Sequence, residues 1–100
     1  MNADAFERLE KEFPKIVKLI DKDTFDSHDF ILRLAQKNQR LYVQLLYVYK
    51  ENNQPFQSVH KEIAKRLKKQ HDLVRYDARS HSSKNIFGLV NKCAVWHKVK

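Results

Sequence analysis

SHDFILRLAQKNQRLYVQLLYVYKE, residues 27–51, places Phe30, Ile31, Leu34, Leu41, Leu45 and Val48 at the three- and four-residue steps of one helix face. Asp26 or Ser27 can accept from the first amides, and Asp29 suits the positive end. As one helix it would run for about 36 Å, the longest element of the chain. Between Leu41 and Tyr49 only Gln44 interrupts the apolar residues. That pattern predicts a helix covered on several sides, in the middle of a bundle. The same Val- and Tyr-rich run also fits a buried strand, but the helical lead-in favours the helix. Asn52-Asn53-Gln54-Pro55 stops it.

On the N-terminal side, Phe6, Leu9, Phe13, Ile16, Val17 and Ile20 keep helical spacing. Pro14 interrupts them, so the expectation is a helix near 3–12 and another from Pro14, or one kinked helix. Residues 21–26 read as a connector. On the C-terminal side, Phe56, Val59, Ile63 and Leu67 define a further amphipathic helix over 56–70. Val74, Tyr76 and Ala78 alternate with Arg75, Asp77 and Arg79 as in a short half-exposed strand. Residues 80–85 read as a polar turn, with Gly88 available for a positive-φ position. Beyond it Leu89, Cys93 and Trp96 fit a helix, whereas Val95, His97 and Val99 fit a strand; helix is favoured up to Cys93.

The expected fold is therefore mainly α: four to five helices bundled around the long one at 27–51, with room for a short C-terminal β hairpin. Its expected core is Phe6, Leu9, Phe13, Ile16, Ile20, Phe30, Leu34, Leu41, Leu45, Val48, Phe56, Val59, Ile63, Leu67 and Trp96. One domain over 1–100 is expected from the length, as monomer or homodimer. Gly 1 and Pro 2 in 100 residues disfavour the many tight turns of a small sandwich or barrel. The single Cys93 excludes an internal disulfide framework and suits a reducing compartment. No run approaches the roughly 20 apolar residues of a membrane span, and charged residues follow Met1 where a signal peptide would be apolar. The expectation is a cytoplasmic domain with no membrane partner.

Charge separates the halves. Residues 1–49 hold eight Lys/Arg and eight Asp/Glu, so the neutral half 1–51 supplies most of the expected bundle. Residues 50–100 hold twelve Lys/Arg and four Asp/Glu, which places the whole +8 there. The basic half 52–100 is the candidate binding surface for a polyanion. Within it Lys61, Lys65 and Lys68 lie within about 60° of one another around a helix, with Arg66 and Lys69 beside them.

Glu62-Ile63-Ala64-Lys65-Arg66-Leu67 resembles the first helix of helix-turn-helix proteins, whose Ile, Ala and Leu pack inward. The turn and second helix of that family do not follow, because Lys68-Lys69-Gln70-His71-Asp72 leads into an extended stretch. A winged variant would put helix 56–70 in a groove, with strand 73–79 and a partner near 95–99 as the wing. Lys61, Lys65, Arg66, Lys68, Lys69, Arg75, Arg79 and Lys84 are then the candidate nucleic-acid contacts, with Arg66 or Gln70 reading base edges. The bland alternative is a basic amphipathic helix packed on a bundle.

Tyr42, Tyr47, Tyr49, Tyr76 and Trp96 are candidate base-stacking residues, though Tyr42 and Tyr49 suit the core better and Tyr76 suits the surface best. Ser80 to Asn85 could grip a phosphate, but such composition is ordinary for a turn. Cys93 and His97 would face one ion on a helix, yet further ligands are lacking, so neither metal nor cofactor is expected. Gly-rich phosphate loops and His-Glu-x-x-His are absent. Arg66…His71 and Arg75…His81 are similar in spacing to the Arg-x(4–6)-His of HEPN ribonucleases, although Leu67 and Tyr76 replace the usual polar residue after the Arg. That resemblance implies phosphodiester cleavage with His71 or His81 transferring the proton. The leading expectation is a non-enzymatic nucleic-acid-binding module, DNA ahead of RNA. A module docking an acidic protein comes second and the ribonuclease third.

Overall fold

A computed structural model describes residues 2–99. Five helices, α1 (Asn2–Glu10), α2 (Phe13–Leu19), α3 (Ser27–Lys37), α4 (Gln39–Val48) and α5 (Pro55–Lys68), accompany three strands, β1 (Thr24–Asp26), β2 (Val74–Lys84) and β3 (Val90–Lys98). The strands form one antiparallel sheet in the order β1-β3-β2. The architecture is mixed α+β, which corrects the expectation of a mainly α bundle.

The long helix expected at 27–51 is two helices. Asn38 adopts φ −135° and ψ 52°, and its amide (3.0 Å) and side-chain Nδ2 (3.2 Å) both donate to the Leu34 carbonyl. This local competition for a backbone acceptor ends α3 and allows α4 to restart in a new direction. With the break, α4 is not covered all round: Tyr42 and Leu45 are buried, whereas Val43 and Tyr47 are exposed. Asp26 caps α3, accepting from the Asp29 amide at 2.9 Å. Pro14 sits in the first turn of α2, where its missing donor costs least.

The second departure lies at the C-terminus, where the stretch favoured as helix is β3. Helical spacing of Leu89, Cys93 and Trp96 was outweighed by pairing on both edges, to β1 (Phe25↔Trp96) and to β2 (Tyr76↔Trp96). Residues 81–84, expected as a turn, continue β2 opposite 90–93, and a bulge between Asp77 and His81 absorbs the extra residues. As β2 is an edge strand, its polar side chains stay wet while its backbone is paired. β1, expected as part of a connector, is the other edge.

One core joins the layers. Phe6, Leu9, Phe13, Ile16, Ile20, Phe30, Leu34, Leu45, Val59, Ile63, Leu67 and Trp96 are buried as expected. Leu41 is only half-buried, and Val48 and Phe56 are exposed, because the break at Asn38 and the turn before Pro55 remove their covering layer. Phe25 and Val74 enter the core through the unforeseen pairing of β1 and β2 with β3. Phe30 links its halves, edge-on to Phe13 at 5.1 Å and stacked with Phe25 at 6.1 Å. Buried Trp96 donates its indole N–H to Ser27 Oγ at 2.8 Å, tying the central strand to the start of α3.

Candidate nucleic-acid interface

α5 is built by two opposed stripes. Val59, Ile63 and Leu67 are fully buried, and their spacing fixes the rotation of the helix. That rotation turns Gln57, Lys61, Lys65 and Lys68 to solvent, with Lys69 just past the helix end. Among the described residues Lys61, Lys65 and Lys69 have no ion-pair partner. Lys68 lies over the Tyr76 ring, 4.4 Å from its centroid. The last turn also carries the negative end of the helix dipole, which the cations Lys65, Arg66 and Lys68 complement.

Arg66 stands apart from these lysines. Its Nη1 donates to Glu10 at 2.6 Å, its Nε donates to Glu62 at 2.7 Å, and its guanidinium covers the Phe6 ring at 4.6 Å. Burial works against its charge, but the two carboxylates outweigh burial and hold its pKa above the ordinary value. Gln70 donates to the other oxygen of Glu10 at 3.1 Å. Both residues expected to read base edges therefore bond Glu10 of α1, Arg66 through Nη1 and Gln70 through Nε2.

The hairpin of β2 and β3 lies along α5. Lys68 over Tyr76 marks one end of the contact, and Phe56 edge-on to Phe87 at 4.9 Å marks the other. Tyr76 is 45% exposed, while Tyr42 and Trp96 are buried, Tyr49 is half-buried against Phe6, and Tyr47 projects from α4. Lys84 is exposed towards the hairpin turn.

Arg75 and Arg79 occupy the opposite side of β2. Alternation places Val74 and Tyr76 towards the helices and Arg75 with Asp77 on the outer face. Arg79 Nε donates to Asp77 Oδ2 at 2.8 Å, and the same oxygen faces His97 Nε2 at 2.7 Å. Hydrogen bonds from His97 and from the Arg79 amide hold the Asp77 carboxyl down at about 2. With His97 Nε2 turned to that carboxylate, its Nδ1 faces Thr24 Oγ1 at 3.0 Å. His81 pairs with Asp26 at 3.1 Å beside an open cleft of about 640 Å³ that Thr24, Arg33 and Arg79 also line. This outer-face network escaped sequence analysis because it needs β1 beside β3.

The eight candidate cations thus divide. Lys61, Lys65, Lys68 and Lys69 form one ridge, Lys84 lies on the adjoining hairpin, Arg75 and Arg79 face away, and Arg66 is internal. Cys93 and His97 are on β3, so their separation is about 13 Å, too far to share an ion. Among the described residues no cluster of metal-ligating side chains occurs. Ser83 Oγ bonds His28 Nδ1 at 2.8 Å, so that hydroxyl serves the fold. No helix among the described residues is long and apolar enough to cross a membrane. No family model, curated protein or solved structure matches the chain.

Proposed function

We propose that the chain is a non-enzymatic nucleic-acid-binding module that presents α5 to duplex DNA, with the β2–β3 hairpin as a wing beside it. The observation that carries this reading is the lysine ridge: Lys61, Lys65 and Lys69 are exposed, carry no ion-pair partner among the described residues, and lie opposite the buried stripe. The wing reinforces the positive field, since residues 78–99 contain no Asp or Glu. Successive lysines on one helix face recur about every 6 Å, a spacing that suits a row of phosphates. Such contacts supply affinity and register without reading sequence.

Four lysines on four phosphates predict a log–log salt slope of about −3.6, so affinity falls about 150-fold between 50 and 200 mM salt. An anisotropy titration with labelled duplex, single-stranded DNA and RNA measures it. Lys65→Glu with Lys68→Glu should abolish binding while leaving the circular dichroism spectrum like that of the wild type and lowering the melting temperature by about 5–10 °C, because two charges are reversed at the negative end of α5. Unchanged affinity in that double variant refutes the ridge as the site. A salt-sensitive complex with an acidic protein, without nucleic-acid binding, would favour the protein-docking alternative.

A further inference from the structure

Hairpin turns are ordinarily polar, but the turn between β2 and β3 is apolar. Phe87, Leu89 and Val90 are 56%, 65% and 66% exposed. Three neighbouring large apolar side chains at a protruding tip form the kind of patch that marks a contact surface. The tip is also fixed in shape. Asn85 Oδ1 accepts from the amides of Phe87 (2.9 Å) and Leu89 (3.1 Å). The Asn85 amide donates to the Leu89 carbonyl at 2.8 Å, and the Gly88 amide donates to the Asn85 carbonyl at 2.9 Å. Gly88 has φ +81°, the left-handed region that glycine enters without strain. Phe87 leans edge-on against Phe56 at the start of α5, so the tip is braced by the helix that carries the lysine ridge.

Exposed Lys84 and Lys92 flank this prong. A bilayer would meet the prong head-on and engage charges ringed about its base. Besides Lys84 and Lys92, the cations here run back from the tip along α5, from Lys61 to Lys69, since α5 starts at Phe56 beside Phe87 and ends at Lys68 over Tyr76, and a bilayer met head-on would not reach that row. A rigid apolar prong beside a row of cations matches a grooved polyanion whose phosphates recur along the contact.

We propose that Leu89 and Val90, buttressed by Phe87, are an apolar wedge that enters the minor groove of duplex DNA and opens a base step. This rests on the preceding reading and deepens it, because it assigns bent duplex DNA as the partner. Side-chain wedges of this kind unstack a step and bend the duplex, most easily at pyrimidine–purine steps.

The test uses a duplex of about 25 base pairs with a central TA step, a donor and acceptor at its ends, and a fluorescent adenine analogue beside the step. Wild-type protein should shorten the end-to-end distance, corresponding to a bend of roughly 20–90°, and should brighten the analogue as it unstacks. Leu89→Ser with Val90→Ser touches exposed side chains and should leave folding intact, as circular dichroism would verify. That variant should bind more weakly with an unchanged salt slope, and should leave the duplex straight and the analogue quenched. Wild-type binding to a duplex that stays straight overturns the wedge and leaves the nucleic-acid reading standing. Equal bending by the tip variant also overturns it. Failure of the wild type to bind any duplex refutes the nucleic-acid reading itself. Vesicles of phosphatidylcholine and phosphatidylserine form the last arm: tip-dependent capture on vesicles, with no bending of DNA, assigns the prong to a membrane surface and overturns the proposal.

Discussion

Replacing Arg66 by methionine separates a structural cation from a binding one. Arg66 bridges Glu10 and Glu62 through bonds of 2.6 and 2.7 Å, with side-chain exposures of 23% for the arginine and 27% for each partner. An exposed ion pair contributes about 0.2–1 kcal/mol, whereas removing one partner of a buried pair costs about 3–5 kcal/mol. This half-buried triad lies between those limits. Its loss also leaves two carboxylates facing each other and removes a charge from over the Phe6 ring. The expected cost is about 2–3 kcal/mol, allowing that the methionine stem keeps part of the contact with Phe6. For a domain of this size that corresponds to a fall of about 15 °C in melting temperature. Thermal and urea unfolding followed by circular dichroism would measure it. Adding Glu10→Gln to Arg66→Met should recover about 1 kcal/mol, because it relieves the carboxylate repulsion. On the proposed reading, affinity for duplex DNA measured below both melting temperatures should stay within about twofold of the wild type, since the guanidinium is turned to Glu10 and Glu62. A melting temperature unchanged within error, or a loss of affinity like that of the Lys65→Glu, Lys68→Glu variant, would refute this assignment.

Three further expectations concern polar groups bonded within the fold. Burial, aided by the neighbouring charge of His28, lowers the His60 pKa from 6.5 to about 4, so the imidazole stays neutral, with its Nε2 in a hydrogen bond with Tyr42 Oη at 2.6 Å. Burial likewise raises the Tyr42 hydroxyl to about 12, keeping it protonated. As pH falls from about 6.5 to 4 the unfolded chain takes up the proton first, so stability is full above this window and drops through it by about 3 kcal/mol. Urea unfolding at pH 7 and at pH 4.5 tests this, and His60→Gln should flatten the dependence; an equal drop in that variant would exclude His60 as its source. Asp77, held down at about 2 from 3.8, adds its own loss only as pH falls below about 3.8, so the two windows are distinct. Ser27→Ala should cost about 1–3 kcal/mol, because it strands the buried Trp96 indole N–H. Trp96 fluorescence during unfolding would report it, and an unchanged midpoint would show that another group satisfies the indole.

Local patterns were legible where a single element could satisfy its own requirements. The stripe of Val59, Ile63 and Leu67 settles both the existence of α5 and the outward direction of Lys61, Lys65 and Lys68. Asp26 was readable as a cap because the bond it makes spans three residues. Asn38 was not readable as a break, since its competition for the Leu34 carbonyl is a weak local effect overridden in many helices. Likewise, 86–100 carried two periods at once, and which one prevails depends on whether partner strands are present.

The sequence alone determined the amphipathic helix α5, the concentration of positive charge after residue 50, and the lysine ridge on that helix. These follow from side-chain order along one element, where neighbours are fixed by helical geometry. Tertiary structure decided which cations are available. It enclosed Arg66 between Glu10 and Glu62, turned Arg75 and Arg79 to the far side of the sheet, and braced an apolar tip against Phe56. Apart from the Glu62 pair, four residues from Arg66, each outcome depends on groups 31 or more residues apart or on a strand register set by pairing. A charge becomes a binding group or a strut according to which carboxylate the fold brings beside it.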